Sequence, residues 1–150
     1  MILVGDRPPD VLIGGSLNPY MRRWWIIPRN RFFNIYLHEF LRSDDERALH
    51  DHPWWNLSIL LEGSYLEHLS GGERILRTAP SLILRSATHA HRIQTILSAE
   101  NLGKGKAVTL FITGPKIREW GFLCPQGWRH WSIFTAGYDP RSGDSRGCDP

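Results

Sequence analysis

The stretch His50–Gly63 of this 150-residue chain reads HDHPWWNLSILLEG and contains two histidines separated by one residue. Residues i and i+2 of a strand point to the same face, so His50 and His52 can present both imidazoles to one point. His89 and His91 repeat the pattern. Two such pairs on facing strands supply three or four ligands and predict a metal site, because neutral imidazole binds Zn, Cu, Fe and Ni. The alternative is that these histidines cap turns and bond to the backbone.

The rest of the chain has the pattern of an all-β protein. Short runs of β-branched and aromatic residues, often separated by Gly, Pro, Asn or Ser, are typical of strands. Many short strands at close spacing indicate a sandwich or barrel, and a long amphipathic helix is hard to find. The predicted strands are 23–27, 34–41, 57–61, 64–68, 81–85, 91–97, 107–113 and 119–123, with hairpin turns at 62–64 and 70–72 and one helical turn at 43–47.

The length fits a single domain. A lead-in rich in Gly and Pro predicts an irregular N-terminal arm over residues 1–19. The body of the domain is expected over 20–135, and residues 136–150 are expected to form a flexible tail.

Composition excludes several classes of protein. The chain is 41% hydrophobic and 22% charged, which argues against wholesale disorder, and it has no apolar run long enough for a membrane span. A net charge of +3 does not call for nucleic acid. The segment 22–33 interleaves arginines with aromatics, but a solvated basic edge is the simpler interpretation. Cys124 and Cys148 form no C-x-x-C pair, so we expect neither a cysteine zinc site nor a disulfide scaffold, and we expect a cytoplasmic location.

The stretch His50–Gly63 resembles the first motif of the cupin superfamily, G-x5-H-x-H-x(3,4)-E-x6-G. Both histidines and the closing glycine are in register, whereas Asn56 stands at the glutamate and Asp44 at the opening glycine. The second motif, G-x5-P-x-G-x2-H-x3-N, aligns on residues 80–95 with His91 at its histidine. Its other four defined positions are all replaced, by Pro80, Ser86, Thr88 and Thr95.

Three longer segments are similar to small uncharacterised cupin-like proteins from phages and proteobacteria: 34–38, 43–54 and 113–122. The resemblance implies one all-β domain with the double-stranded β-helix fold, the cupin jelly roll. That group has no established reaction, so the substrate stays open.

The resemblance implies that His50, His52 and His91 bind one divalent metal, which can be Fe, Mn, Ni, Co or Zn. Because Asn56 removes the usual carboxylate ligand, Glu67 is our preferred substitute, with solvent exposure of Glu67 as the alternative. An acid on a core-facing strand is costly unless it binds a metal or a cation. His89 has the parity of His91 and is a second candidate as ligand or acid–base group. A water is the third candidate for the fourth position.

Four further residues are candidates for contact with a bound ligand. Tyr65 shares a face with Glu67 and can donate a phenol hydrogen bond to a metal-bound ligand. Trp54 lies next to the histidines and can form the wall of a pocket. Arg85 has the parity of His91 and suits a substrate carboxylate. Trp120 lies in the tract expected at the mouth of the barrel.

Two function classes follow from this site. The first is a metal-dependent enzyme acting on a small molecule, with oxidation by O2 or isomerisation as the reaction classes. The second is a non-catalytic cupin that binds a ligand or serves as a phage accessory or structural protein. Exposed tryptophans and sheet edges favour a homodimer in either case.

Overall fold

The computed structural model describes residues 3–44, 47–95 and 107–150 of the chain. Within these ranges the chain forms strands, one turn of 3-10 helix and one short α-helix. The strands are β1 Val11–Ile13, β2 Met21–Trp25, β3 Asn34–Phe40, β4 Leu49–His50, β5 Asn56–Leu69, β6 Arg74–Thr78, β7 Ser81–Arg85, β8 His91–Thr95, β9 Ala107–Thr113, β10 Gly121–Cys124 and β11 Gly127–His130. The 3-10 turn is Ser70–Gly72 and the helix, α1, is Trp131–Phe134. The all-β prediction is confirmed.

The strands form two antiparallel sheets that share β5. The first sheet has the order β1-β2-β3-β9-β5, with β7 on the other side of β5. The second sheet has the order β5-β8-β4-β10-β11, with β6 on the other side of β5. β5 is 14 residues long; its first half pairs in the first sheet and its second half in the second.

The bend in β5 corrects one sequence prediction. Residues 62–64 were expected to form a hairpin turn, but the strand continues through them into the second sheet. A register shift between Leu60 and Glu62 marks a bulge, and Gly63 has φ of 79°. Bulges and glycines bend a strand without ending it. The sequence signal at Gly63 therefore indicates a corner rather than a reversal.

Other strand predictions lie close to the observed elements. The ranges 81–85 and 107–113 coincide with β7 and β9, and the turn at 70–72 is present. β1, β4, β6 and β11 are absent from the predicted strands; β6, for example, has arginines at two of its five positions and gives a weak apolar signal. Residues 96–97 of the predicted strand 91–97, and residues 45–46 of the predicted helical turn, lie outside the described residues.

The buried face of the first sheet carries polar as well as apolar side chains. Its buried inward face includes Asn34 and His38 on β3, Ser58 on β5, and Thr109 and Thr113 on β9. Aliphatic residues alternate with these and point outward, where the leucines of β7 are mostly exposed. A sheet that covers a core usually shows the reverse, so this interior is partly polar.

The C-terminal residues contact the barrel. Cys124 of β10 and Cys148 form a disulfide, which corrects the expectation that the chain has no disulfide scaffold. Arg129 Nη1 donates to the carbonyl of Gly147 at 2.9 Å, and the amide of Gly147 donates to the carbonyl of Phe134 at 2.8 Å. The expectation of a cytoplasmic location was based on the lack of a disulfide, so the Cys124–Cys148 disulfide removes its basis. No helix among the described residues is long and apolar enough to span a membrane.

Candidate metal site

Two short strands of the second sheet bring three histidines together. His50 ends β4 and is the register partner of His91, the first residue of β8. His52 follows two residues later, and its amide donates to the carbonyl of Ala87 at 3.0 Å. The ring centroids of the three histidines lie 4.9–5.2 Å apart. One nitrogen from each ring lies within 4.8 Å of the others, which is close enough for all three to bind one ion.

Asp51 fixes the loop between the first two histidines. Its buried carboxylate accepts hydrogen bonds from the amide of Gly121 at 2.8 Å and from the indole of Trp128 at 3.0 Å. Arg118 Nη1 lies 2.9 Å from the same carboxylate. The carboxylate therefore ties the loop to β10 and β11, and its neighbours His50 and His52 meet His91.

Glu67 lies behind His91 and is bound by cations. It is fully buried on β5, and its Oε1 accepts hydrogen bonds from His91 Nδ1 at 2.7 Å and Arg85 Nε at 2.8 Å. Arg77 Nε donates to Oε2 at 2.8 Å. The cost of burying this carboxylate is thus offset by two guanidinium groups and an imidazole.

These contacts fix the protonation of the pair. Burial alone raises the pKa of Glu67, but the hydrogen bond from His91 and the charge of Arg85 outweigh it and hold the pKa well below its usual range. Burial lowers the pKa of His91 to about 4. At neutral pH an ionised Glu67 accepts only, so His91 Nδ1 carries the proton and Nε2 keeps a lone pair. A carboxylate that orients an imidazole in this way is common behind metal ligands.

The other two histidines are also neutral. Burial lowers the pKa of His50 and of His52 well below the usual value, and the neighbouring histidines add to the effect. Within the described part of the chain, the buried Nδ1 of His52 has no hydrogen-bond partner. Three neutral imidazoles with converging nitrogens fit a divalent transition metal, whose ligands must be deprotonated.

His89 defines a second group around Glu67. Glu67, His89 and His91 also offer ligand atoms within 4.8 Å of one another. His89 Nε2 lies 3.9 Å from Glu67 Oε1, and burial lowers its pKa. In this group Glu67 is already bound by Arg77 and Arg85, whereas the three-histidine group has no cation among its members.

The remaining predicted residues lie around the two groups. Tyr65 is buried, and its hydroxyl accepts from Arg85 Nη2 at 3.4 Å. Arg85, predicted to bind a substrate carboxylate, is itself buried against Glu67, with Nη2 2.7 Å from Oε1. The Trp54 ring stacks on His52 at 5.4 Å. The Trp120 ring is 6.5 Å from His50 and stacks on Trp131.

Sequence reasoning missed a set of buried polar groups in the first sheet. Asn56 is fully buried, and among the described residues neither atom of its amide has a hydrogen-bond partner. Its register partners are Thr113 on β9 and Arg85 on β7. The buried hydroxyl of Thr113 also has no hydrogen-bond partner among the described residues. The alternation of Asn56 and Ser58 with Leu57 and Ile59 was a usable signal, because it places the polar residues on one face.

Solved structures share this architecture at low sequence identity. KdgF from Halomonas sp. has a TM-score of 0.52 and 12% identity, over 69% of this chain and 87% of that one. The DMSP lyase DddQ from Ruegeria pomeroyi DSS-3 has a TM-score of 0.54 and 12% identity, over 73% and 54%. An uncharacterised Klebsiella pneumoniae protein with a double-stranded β-helix domain has a TM-score of 0.52 and 14% identity, over 72% of this chain and 88% of that one. No protein-family model matches the chain, and no match was found among curated protein sequences.

The fold of this chain is therefore the double-stranded β-helix of the cupins, in a single domain, as its sequence predicts. Within that fold the chain has a cluster of three histidines that can hold a metal ion.

Proposed function

We propose that the protein is a metal-dependent enzyme that isomerises or oxidises a small polar molecule. The observation that supports this most directly is the convergence of His50, His52 and His91, with His91 held by the buried carboxylate of Glu67. Three protein ligands leave coordination positions open, and a metal bound there supplies a Lewis acid for substrate. The ion would be Fe, Mn, Ni, Co or Zn, since all accept imidazole.

The surrounding side chains suit a flat, polar substrate. Trp54 stacks on His52 and offers an apolar wall. Asn56 offers an amide donor and a carbonyl acceptor, and Thr113 offers a hydroxyl that can donate or accept, all from buried positions where an unmade hydrogen bond is costly. A substrate with both donor and acceptor groups satisfies them. His89 Nε2 has no hydrogen-bond partner among the described residues, and a neutral imidazole there can accept a proton.

A non-catalytic ligand-binding cupin is the second candidate. Two observations favour it: Asn56 replaces the carboxylate of the first cupin motif, and Glu67 is tied to Arg77 and Arg85. Neither position therefore supplies a carboxylate that is free to act as a base. A His89→Gln variant separates the two candidates once a reaction is found, because it removes the remaining base and leaves the three histidines in place.

Metal content tests the site itself. Protein purified without an affinity tag or chelator should hold about one equivalent of a transition metal, measured by elemental analysis. His52→Ala and His91→Ala should each lose it, since two ligands hold a metal poorly. His68→Ala is the matched control, because His68 lies on β5 and bonds Gln94 instead. Metal-free parent protein, even after incubation with Fe(II), Mn(II) or Zn(II), would contradict the proposal.

A further inference from the structure

One arginine of the first sheet lacks the carboxylate partner that a half-buried guanidinium normally has. Arg23 of β2 is the register partner of His38 on β3, so the two side chains lie on the same face. Its Nε donates to His38 Nε2 at 2.9 Å, and its guanidinium carbon lies 4.6 Å from the centroid of the Tyr36 ring. In the described part of the chain, its Nη1 and Nη2 have no acceptor and no carboxylate forms an ion pair with it.

The charge of Arg23 is therefore partly desolvated without an anion to balance it. Burial lowers the pKa of its guanidinium, while the nearby tyrosines Tyr36 and Tyr20 act in the opposite direction and Arg29 adds to the lowering. The ring of Tyr36 attracts the face of the guanidinium, but the N–H groups lie along its edge. An anion at that edge supplies both the opposite charge and the missing hydrogen-bond acceptors.

The hydrogen bond from Arg23 also fixes the proton of His38. An arginine can only donate, so His38 Nε2 accepts and carries no proton. Burial lowers the pKa of His38 well below its usual value, so the ring is neutral and its single proton lies on Nδ1. Among the described residues, Nδ1 has no acceptor. The histidine therefore offers a second hydrogen-bond donor next to the guanidinium.

A third polar group lies in the same row of the sheet. Thr109 of β9 is the register partner of His38 and is 2% exposed. Its hydroxyl has no hydrogen-bond partner within the described ranges. The row from Arg23 through His38 to Thr109 thus crosses three strands without an acidic member. A row of donors suits an oxyanion, whose oxygens only accept hydrogen bonds.

One aromatic ring separates this row from the candidate metal site. The ring centroid of Phe111 on β9 lies 4.9 Å from that of His38 and 6.3 Å from that of His52. Trp54, which stacks on His52, lies 5.6 Å from the same phenyl ring. A small molecule at the metal site can therefore extend across Phe111 toward Arg23.

We propose that Arg23, together with His38 and Thr109, binds an oxyanion group of the substrate, a carboxylate or a phosphate. The inference rests on the proposed function, because the rest of that substrate lies at the metal site. Arg85, which the sequence favoured for this role, is bound to Glu67, whereas Arg23 has no acid beside it. The planar fork of an arginine suits bidentate contact with either kind of oxyanion.

Titration with acetate and with inorganic phosphate at constant ionic strength tests the proposal. At least one of the two anions should cause saturable shifts of the backbone amide resonances of His38 and Thr109, and the tighter one identifies the group. Arg23→Gln should raise the dissociation constant at least about 10-fold, the loss expected for a hydrogen bond to a charged group. Arg22→Gln is the matched control, because Arg22 is the next residue of β2 and bonds Glu39 at 3.2 Å instead. Its dissociation constant should equal that of the parent.

Circular dichroism must show that each variant is folded. Arg23→Lys replaces Arg23→Gln if the latter does not fold, and it should still weaken binding because an ammonium lacks the planar fork. No saturable shift with either anion would overturn the inference. Equal weakening in Arg22→Gln and Arg23→Gln would also overturn it, because general surface charge would then explain the binding.

His52→Ala separates this inference from the proposed function. Anion binding that persists in His52→Ala and is weakened in Arg23→Gln supports the site at Arg23, whatever the metal content. Binding that is lost in His52→Ala and kept in Arg23→Gln would place the anion on the metal and overturn the inference. Metal content is measured on the same samples, so the failure of either proposal can be recognised separately.

Discussion

The carboxylate of Glu67 connects β5 to three other strands. It accepts hydrogen bonds from Arg77 of β6, Arg85 of β7 and His91 of β8, and it lies on β5. The hydrogen bond to Nδ1 fixes the tautomer of His91 and the orientation of its ring. Glu67 therefore orients one histidine of the candidate metal site, and its charge is balanced by the two arginines.

Replacing Glu67 by Gln should weaken metal binding about 10- to 100-fold without abolishing it, because His91 loses the charged acceptor behind it. Affinity is measured by competition with a chelator, at a temperature where circular dichroism shows the variant folded. Glu62→Gln, at an exposed position of the same strand, is the control. Unchanged affinity in Glu67→Gln would show that the hydrogen bond does not matter for binding.

The environment of Glu67 shows what could be predicted from sequence at this scale. Strand parity placed Tyr65 and Glu67 on one face, and the cost of burial required a metal or a cation beside the acid. That Arg77 and Arg85 are the cations depends on the hairpin of β6 and β7 folding back on both halves of β5. β6 gave no clear strand signal, so neither arginine could be assigned to Glu67.

Among the elements, the end of the chain depends on β10. Phe122 of β10 stacks on Phe134 of α1 with ring centroids 3.7 Å apart, and Cys124 is linked to Cys148. Gly121 lies so close to β11 that a Cβ there would be 2.1 Å from the carbonyl oxygen of Arg129. The disulfide, the helix and the close strand contact together close the second sheet. The sequence predicted β10 but not the disulfide that links it to Cys148. Two distant cysteines without a motif carry no pairing information.

Removing the disulfide should lower the free energy of unfolding by about 3.5 kcal/mol, the chain-entropy value for a loop of this size. The cysteines are separated by 24 residues. Urea unfolding of the parent with and without reductant measures the effect. The double variant Cys124→Ser/Cys148→Ser should match the reduced parent and be insensitive to reductant. Equal midpoints for reduced and oxidised parent would contradict the prediction.

At the scale of the whole molecule, the interior holds several neutral histidines. Burial lowers the pKa of His38, His50, His52 and His91. Below a pH of about 6.5 the unfolded chain binds protons that the folded chain does not. Stability is therefore complete above that pH and is lost as the pH falls toward the folded pKa values.

The metal-free protein should accordingly lose stability between pH 7 and pH 5, by about 1.4 kcal/mol per pH unit for each such histidine once the pH is below about 6.5. Urea unfolding at several pH values measures the slope. His38→Gln keeps an acceptor for Arg23 Nε, which donates to His38 Nε2 at 2.9 Å, and should reduce the slope by one histidine's share. A stability independent of pH in this range would contradict the assignment of neutral histidines.

The fold as a whole was predictable because two kinds of signal agreed. Short apolar runs indicated strands, and the spacing of His50, His52 and Gly63 resembled a cupin motif. The polar side chains on the buried face of the first sheet were not predicted, because the alternation along β5 shows two faces without showing which is inside. That choice depends on the pairing of β5 with β7 and β9, which brings Asn56, Arg85 and Thr113 into one row.

Because both sheets share β5, they are expected to unfold together. Its first half pairs with β7 and β9, and its second half with β6 and β8. Neither sheet can open fully without breaking backbone hydrogen bonds to the strand that anchors the other. Unfolding is then expected to be all-or-none, with the slowest amide exchange along β5.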